Sequence, residues 1–113
     1  MHYYRELYLD EKTQKEKTKI LRKLKFHAGL YKTYIIALSE GKDYFDLIPG
    51  YVFKQRSYPS KDMMILGLAK DYESAVSLAT KAFNDMSAKY GTCFFKEKLL
   101  EEKKDIFTGF GGR

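Results

Sequence analysis

The spacing of apolar residues switches repeatedly between a helical and an extended period along the 113-residue chain. Ile20, Leu21, Leu24 and Ala28 share one stripe when projected at about 100° per residue, with Lys12, Lys15, Lys19, Arg22 and Lys23 opposite. This predicts a helix from Glu11 to His27, capped by Asp10 and stopped near Gly29. Its first half, Glu11 to Lys19, has no large apolar residue, so that end is expected to project or to be weakly anchored. Leu30 to Leu38 then alternates with period two and is apolar on both faces, as an inner strand is. Gly41 breaks it, and Asp43 to Ile48 is expected to make one or two helical turns before the turn signal Pro49–Gly50. In Tyr51 to Tyr58, Val52, Lys54 and Arg56 face one way and Tyr51 and Phe53 the other, which suits an edge strand.

Pro59–Ser60–Lys61–Asp62 reads as a hairpin turn into Met63 to Ala69, the most apolar run of the chain and a candidate central strand buried on both sides. Gly67 within it marks a bulge or a close helix contact. Asp71 caps a helix carrying Tyr72, Ala75, Val76, Ala79, Ala82, Phe83, Met86 and Tyr90 at helical spacing, and Gly91 ends it. Thr92 to Lys96 is expected as a short strand and Glu97 to Lys104 as a short charged helix. The elements add up to one α+β domain over residues 1–113. Its expected form is an antiparallel three- or four-stranded sheet with two main helices, a two-layer sandwich, with residues 105–113 a flexible tail. If Tyr3 to Leu9 were a first strand, the order would become ferredoxin-like, and this is kept as the alternative.

The segments Lys61–Asp62, Ile65–Leu66–Gly67–Leu68–Ala69, Tyr72–Glu73–Ser74–Ala75 and Tyr90–Gly91 resemble a group of small uncharacterised proteins of Gram-positive gut bacteria. The Lys-rich first helix and the arm Gln55–Arg56–Ser57–Tyr58 fit the same pattern. The resemblance runs to about Phe95 and implies a shared fold. The group has no assigned activity, so no catalytic residue carries across.

Composition narrows the classes further. With 44% hydrophobic, 16% aromatic and 32% charged residues, the chain belongs with proteins that build a packed core. Met1 to Asp10 lacks the apolar run of a secretory signal, and charged residues interrupt every candidate membrane segment. A lone thiol, Cys93, forbids an internal disulfide and suits the cytoplasm. His2 and His27 with one cysteine make a poor metal set. Cys93 follows a helix C-terminus and precedes Phe94–Phe95, both of which oppose a thiolate. The turn Gly67–Leu68–Ala69–Lys70–Asp71 lacks the spaced glycines of a nucleotide loop, and Asp71 there would repel an anion. Asp43 with Asp46, and Glu101 with Glu102, have no histidine or further carboxylate beside them. No catalytic residue, cofactor or metal is indicated. If the chain were an enzyme, an aromatic pocket between Tyr58, Tyr72 and Tyr90 would be its candidate site.

Two features point to binding. Between Asp10 and Ala28 stand seven cations against three anions, a net +4 of the chain's +6. Lys12, Lys15, Lys19, Arg22 and Lys23, with Phe26 nearby, could meet a phosphate backbone and stack a base, although a solvated helix face looks the same. The second feature is area. If both helices cover one face of the sheet, the other exposes Ile35 with Met63 and Ile65, or Ile36 with Met64 and Leu66, and such a patch commonly marks an interface, the competing explanation being that the terminal segments fold over it. Ten tyrosines and eight phenylalanines would help to build it. The leading expectation is therefore a small interaction module, homodimeric through its sheet. The alternative is a nucleic-acid-associated accessory protein using the basic helix.

Overall fold

The computed structural model describes residues 2–25, 33–38, 45–54 and 63–108. Strand β1 (His2–Leu9) leads into helices α1 (Glu11–Lys15) and α2 (Lys17–Lys25). Strands β2 (Tyr34–Leu38) and β3 (Phe45–Pro49) follow, and β3 ends in a 3₁₀ turn (Gly50–Lys54). Then come β4 (Met64–Ala69), the long helix α3 (Tyr72–Tyr90), two short helices, α4 (Lys96–Glu101) and α5 (Lys103–Ile106), and β5 (Phe107–Thr108). The sheet has five strands in the order β3-β2-β4-β1-β5. β1 pairs with β4 in parallel, and the other three pairings are antiparallel.

The α+β class with two main helical segments is as expected, and the sheet differs in detail. It is mixed rather than antiparallel and has five strands rather than three or four. Residues 3–9 do form the first strand, as the alternative required. The parallel β1–β4 pair nevertheless departs from an all-antiparallel ferredoxin-like order. Residues 45–49 are an edge strand and not helical turns. Phe45 and Leu47 pack on one face and Ile48 on the other, a period of two that a helix cannot provide. Pro49–Gly50 ends a strand as readily as a helix. The expected strand Tyr51–Tyr58 is a 3₁₀ turn as far as Lys54, and its remainder lies outside the described residues, as do the Pro59–Asp62 turn, the helix stop at Gly29 and the break at Gly41.

The C-terminal region also differs. Residues 92–95 form a turn rather than a strand, and α4 and α5 follow. Residues 105–108 are not a loose tail: Tyr3 and Tyr4 pair with Thr108 and Phe107, and Phe107 is buried against the Tyr4 ring. α3 runs as predicted. Asp71 accepts the Ser74 N–H at 2.8 Å, and Gly91 closes the helix at φ 71°, the left-handed conformation that favours glycine.

The two helical segments lie on opposite faces of the sheet. On one, Ile36 and Leu66 pack with Ala75 and Met86 of α3 and with Phe95 and Leu99. On the other, Ile35, Ala37, Ile48, Ile65 and Leu68 pack with Ile20 and Leu21 of α2 and with Val52 and Met63. This overturns the premise of the sheet-face dimer. Ile35, Ile36, Ile65 and Leu66 are fully buried within a single chain, and Met63 and Met64 are half-buried, so the six offer no continuous apolar face to a partner. The expectation failed because it placed both helices on one side.

Gly67 makes the doubly covered strand possible. Pairing with β2 jumps from Ile36↔Gly67 to Ala37↔Ile65, a bulge that slips the alternation by one residue. Leu68 consequently shares a face with Ile65, and Ala69 with Leu66. The close approach at Gly67 is to a strand and not a helix. A Cβ there would stand 2.7 Å from the Tyr8 carbonyl oxygen, 3.1 Å from the Tyr8 Cβ and 3.2 Å from the Ile36 Cδ1. Gly67→Ala is therefore expected to cost about 2–3 kcal/mol, read as a lower urea midpoint, because backbone must move. An unchanged midpoint would contradict the packing.

Tyr8 ties β1 to α3, its hydroxyl donating to Asp85 Oδ2 at 3.0 Å. Burial raises the pKa of this phenol, and the hydrogen bond to Asp85 and its charge raise it further. A raised folded pKa contributes stability that is full below the unfolded value, near 10, and is lost as pH rises above it. Tyr8→Phe is expected to give a shallower loss of stability between about pH 9 and about pH 11 in urea titrations. A slope equal to that of the natural chain would show that Tyr8 does not carry the effect.

Candidate functional site

The junction between β1 and α1 is built by the four residues Asp10–Glu11–Lys12–Thr13. Asp10, in extended conformation, caps α1 by accepting the Thr13 N–H on Oδ1 at 2.8 Å, and the Asp10 N–H donates to Thr13 Oγ1 at 3.0 Å. This reciprocal box satisfies two backbone donors that a helix start leaves open. Each side chain also reaches beyond the box. The Thr13 hydroxyl donates to the Leu68 carbonyl at 3.0 Å, and Asp10 Oδ2 accepts the Lys70 N–H at 2.6 Å. Thr13 is buried there. The end expected to project is thus anchored on the end of β4 by polar contacts rather than by apolar area.

The clamp brings Lys12 and Lys70 to the same end of the sheet. In the sheet, Tyr34 stands between Pro49 and Ala69, so the start of β2, the end of β3 and the end of β4 meet there. The Gly50 N–H donates to the Thr33 carbonyl at 2.7 Å and sets the direction of the 3₁₀ turn. Tyr34 and Tyr72 make an edge-to-face contact at 5.6 Å. Between these elements opens a cleft of about 530 Å³ lined by Lys12, Thr33, Tyr34, Pro49, Gly50, Tyr51, Lys70, Asp71 and Tyr72. Asp71 is committed to capping α3, and its hydrogen bonds to Ser74 hold its pKa below the ordinary carboxylate value. It therefore stays ionised near neutral pH and lines the cleft together with the two lysines. Tyrosine and lysine side chains in one cleft can hold an aromatic group and one anionic group.

The residues singled out from sequence scatter around this frame. Lys12 lines the cleft. Lys15, Lys19 and Arg22 are exposed, Lys23 is half-buried, and Lys15 pairs with Glu11 at 3.8 Å. The single helix expected from Glu11 is interrupted at Glu16, which separates α1 from α2, while i to i−4 hydrogen bonds from Glu16 to Lys12 and from Ile20 to Glu16 run across the break. Phe26, His27, Asp43 and Tyr58 lie outside the described residues. Asp46 sits on a strand rather than on the helix expected for an Asp43–Asp46 pair. Tyr72 and Tyr90 occupy opposite ends of the 19-residue α3, roughly 27 Å apart at the helical rise, and cannot share a pocket. Cys93 is exposed rather than buried beside its phenylalanines, of which Phe95 is buried and Phe94 is 68% exposed.

Among the described residues no three histidine, cysteine, aspartate or glutamate side chains cluster as metal ligands would, and no helix is long and apolar enough to cross a membrane. Sequence reasoning missed Tyr51 as a site residue and the role of Thr13, and it weighed and set aside the turn that carries Lys70. The spacing Asp10-x-x-Thr13 was the available signal for the clamp. Comparison with protein-family models, with curated proteins and with solved structures yields no match. Residue roles therefore rest on geometry alone.

Thr13→Val keeps the shape of the side chain but leaves the Leu68 carbonyl and the Asp10 N–H without this partner. It is expected to cost about 1–3 kcal/mol, measured by urea denaturation. A loss below the error of the measurement would show that the clamp does not hold α1.

Proposed function

We propose that this chain is a binding module that associates with single-stranded nucleic acid through the exposed cations of α1 and α2. The observation that carries the reading is the way these helices sit. Thr13 and Ile20 are buried against the sheet, while Lys12, Lys15, Lys19 and Arg22 all remain exposed. A cationic ridge held on a fixed scaffold can track a phosphate backbone with less ordering cost than a free basic tail. Glu11 and Glu16 dilute the ridge, so contact with few phosphates and weak, sequence-tolerant binding are expected. The proposed setting is the cytoplasm, in keeping with the exposed, unpaired thiol of Cys93. The self-associating module loses its support, because the residues it would use are consumed by the fold.

Fluorescence anisotropy with a labelled single-stranded oligonucleotide tests this reading. Neutralising three or four phosphates predicts that affinity falls roughly 20- to 50-fold between about 50 and about 200 mM salt. Reversing charge at Lys15, Lys19 and Arg22 together should weaken binding at least tenfold and flatten the salt dependence. Unchanged affinity in that variant, or no binding at low salt, would refute the proposal.

A further inference from the structure

The cleft beside Lys12 is not explained by a ridge that follows phosphates. We infer that it is a site for a nucleoside 5′-phosphate, either a free mononucleotide or the end of a strand. The inference does not require the ridge to bind anything.

Four large apolar side chains stand exposed among the described residues, and two of them, Tyr51 at 63% and Tyr72 at 55%, border this one cleft. Tyr72 rests against Tyr34, and Tyr51 follows Gly50, whose N–H is bonded to the Thr33 carbonyl. Exposed rings are what a base stacks on, and they discriminate little between bases. The volume, about 530 Å³, falls within the roughly 300–1,000 Å³ common for small-molecule sites.

The charge is arranged to match. Asp10 brings the two cations together, since its carboxylate starts the helix that carries Lys12 and also binds the N–H of Lys70. Asp71, the N-cap of α3, lines the same cleft and leaves it with two cations against one carboxylate. The cleft therefore offers aromatic and cationic side chains together, and a nucleoside 5′-phosphate has a group for each in one molecule. Inorganic phosphate offers only the second and a nucleoside only the first.

Isothermal titration of the full chain with adenosine 5′-monophosphate, adenosine and inorganic phosphate provides the test. The monophosphate is expected to bind at least tenfold more tightly than either part. Tyr72→Ala and Lys70→Ala should each weaken it about tenfold, while Tyr72→Phe, which keeps the ring, should not. Circular dichroism of each variant separates loss of the site from loss of the fold. The triple reversal at Lys15, Lys19 and Arg22 should leave monophosphate binding unchanged, so failure of the ridge and failure of the cleft are read separately. Competition by a 5′-phosphorylated oligonucleotide, and not by its unphosphorylated form, would assign the cleft to strand ends. Displacement by neither would assign it to the free nucleotide. Monophosphate binding no tighter than that of phosphate, or binding indifferent to Tyr72→Ala, would overturn the inference.

Discussion

A strand with no polar face must be roofed twice. β4 carries Ile65 on one side and Leu66 on the other, both fully buried, and its neighbour β2 repeats the pattern with Ile35 and Ile36. Burying each such side chain is worth roughly 1.5–3 kcal/mol, so neither face can be left to water. α3 roofs one face in the ordinary way, through Ala75, Ala82 and Met86. The other roof must be made from a segment in which lysine is the commonest residue. Ile20 and Leu21 supply its apolar contact, and Asp10 and Thr13 supply the rest as directed hydrogen bonds to the end of β4. A segment that would otherwise stay in solvent is thereby held on the sheet with its cations outward.

The same constraint explains the bulge at Gly67. The parallel neighbour β1 and the Ile36 side chain of β2 crowd the middle of β4. Only a residue without a side chain tolerates the Tyr8 carbonyl at that distance. The slip in alternation then hands Leu68 to the α2 face and Ala69 to the α3 face, so both cores are fed to the end of the strand.

What could be read from the chain follows from how local each signal is. β4 and α3 were legible because their evidence lies within one segment: an unbroken apolar run, a capping aspartate, a helical stripe and a terminal glycine. β3 was not, because a five-residue segment before Pro49–Gly50 has too few positions to separate the two periods, and its pairing with β2 decides the matter. The second roof was misjudged because only apolar area was counted, and Thr13 contributes through its hydroxyl. The expectation of an exposed apolar sheet face came from that omission. The basic row was legible residue by residue. The cleft was not, since Lys12, Tyr51, Lys70 and Tyr72 come together only through the sheet order and the register that sets Tyr34 between Pro49 and Ala69.

The central claim is that one carboxylate joins the β1–α1 and β4–α3 junctions, and amide hydrogen exchange at Lys70 tests it most directly. Lys70 is exposed and lies outside any helix or strand, so its amide should exchange freely unless Asp10 holds it. The account predicts that the Lys70 N–H exchanges clearly more slowly than an unprotected amide, and that Asp10→Ser, which can still cap α1 but has no second oxygen, speeds exchange at Lys70 while sparing β4. Free exchange at Lys70 in the natural chain would contradict it.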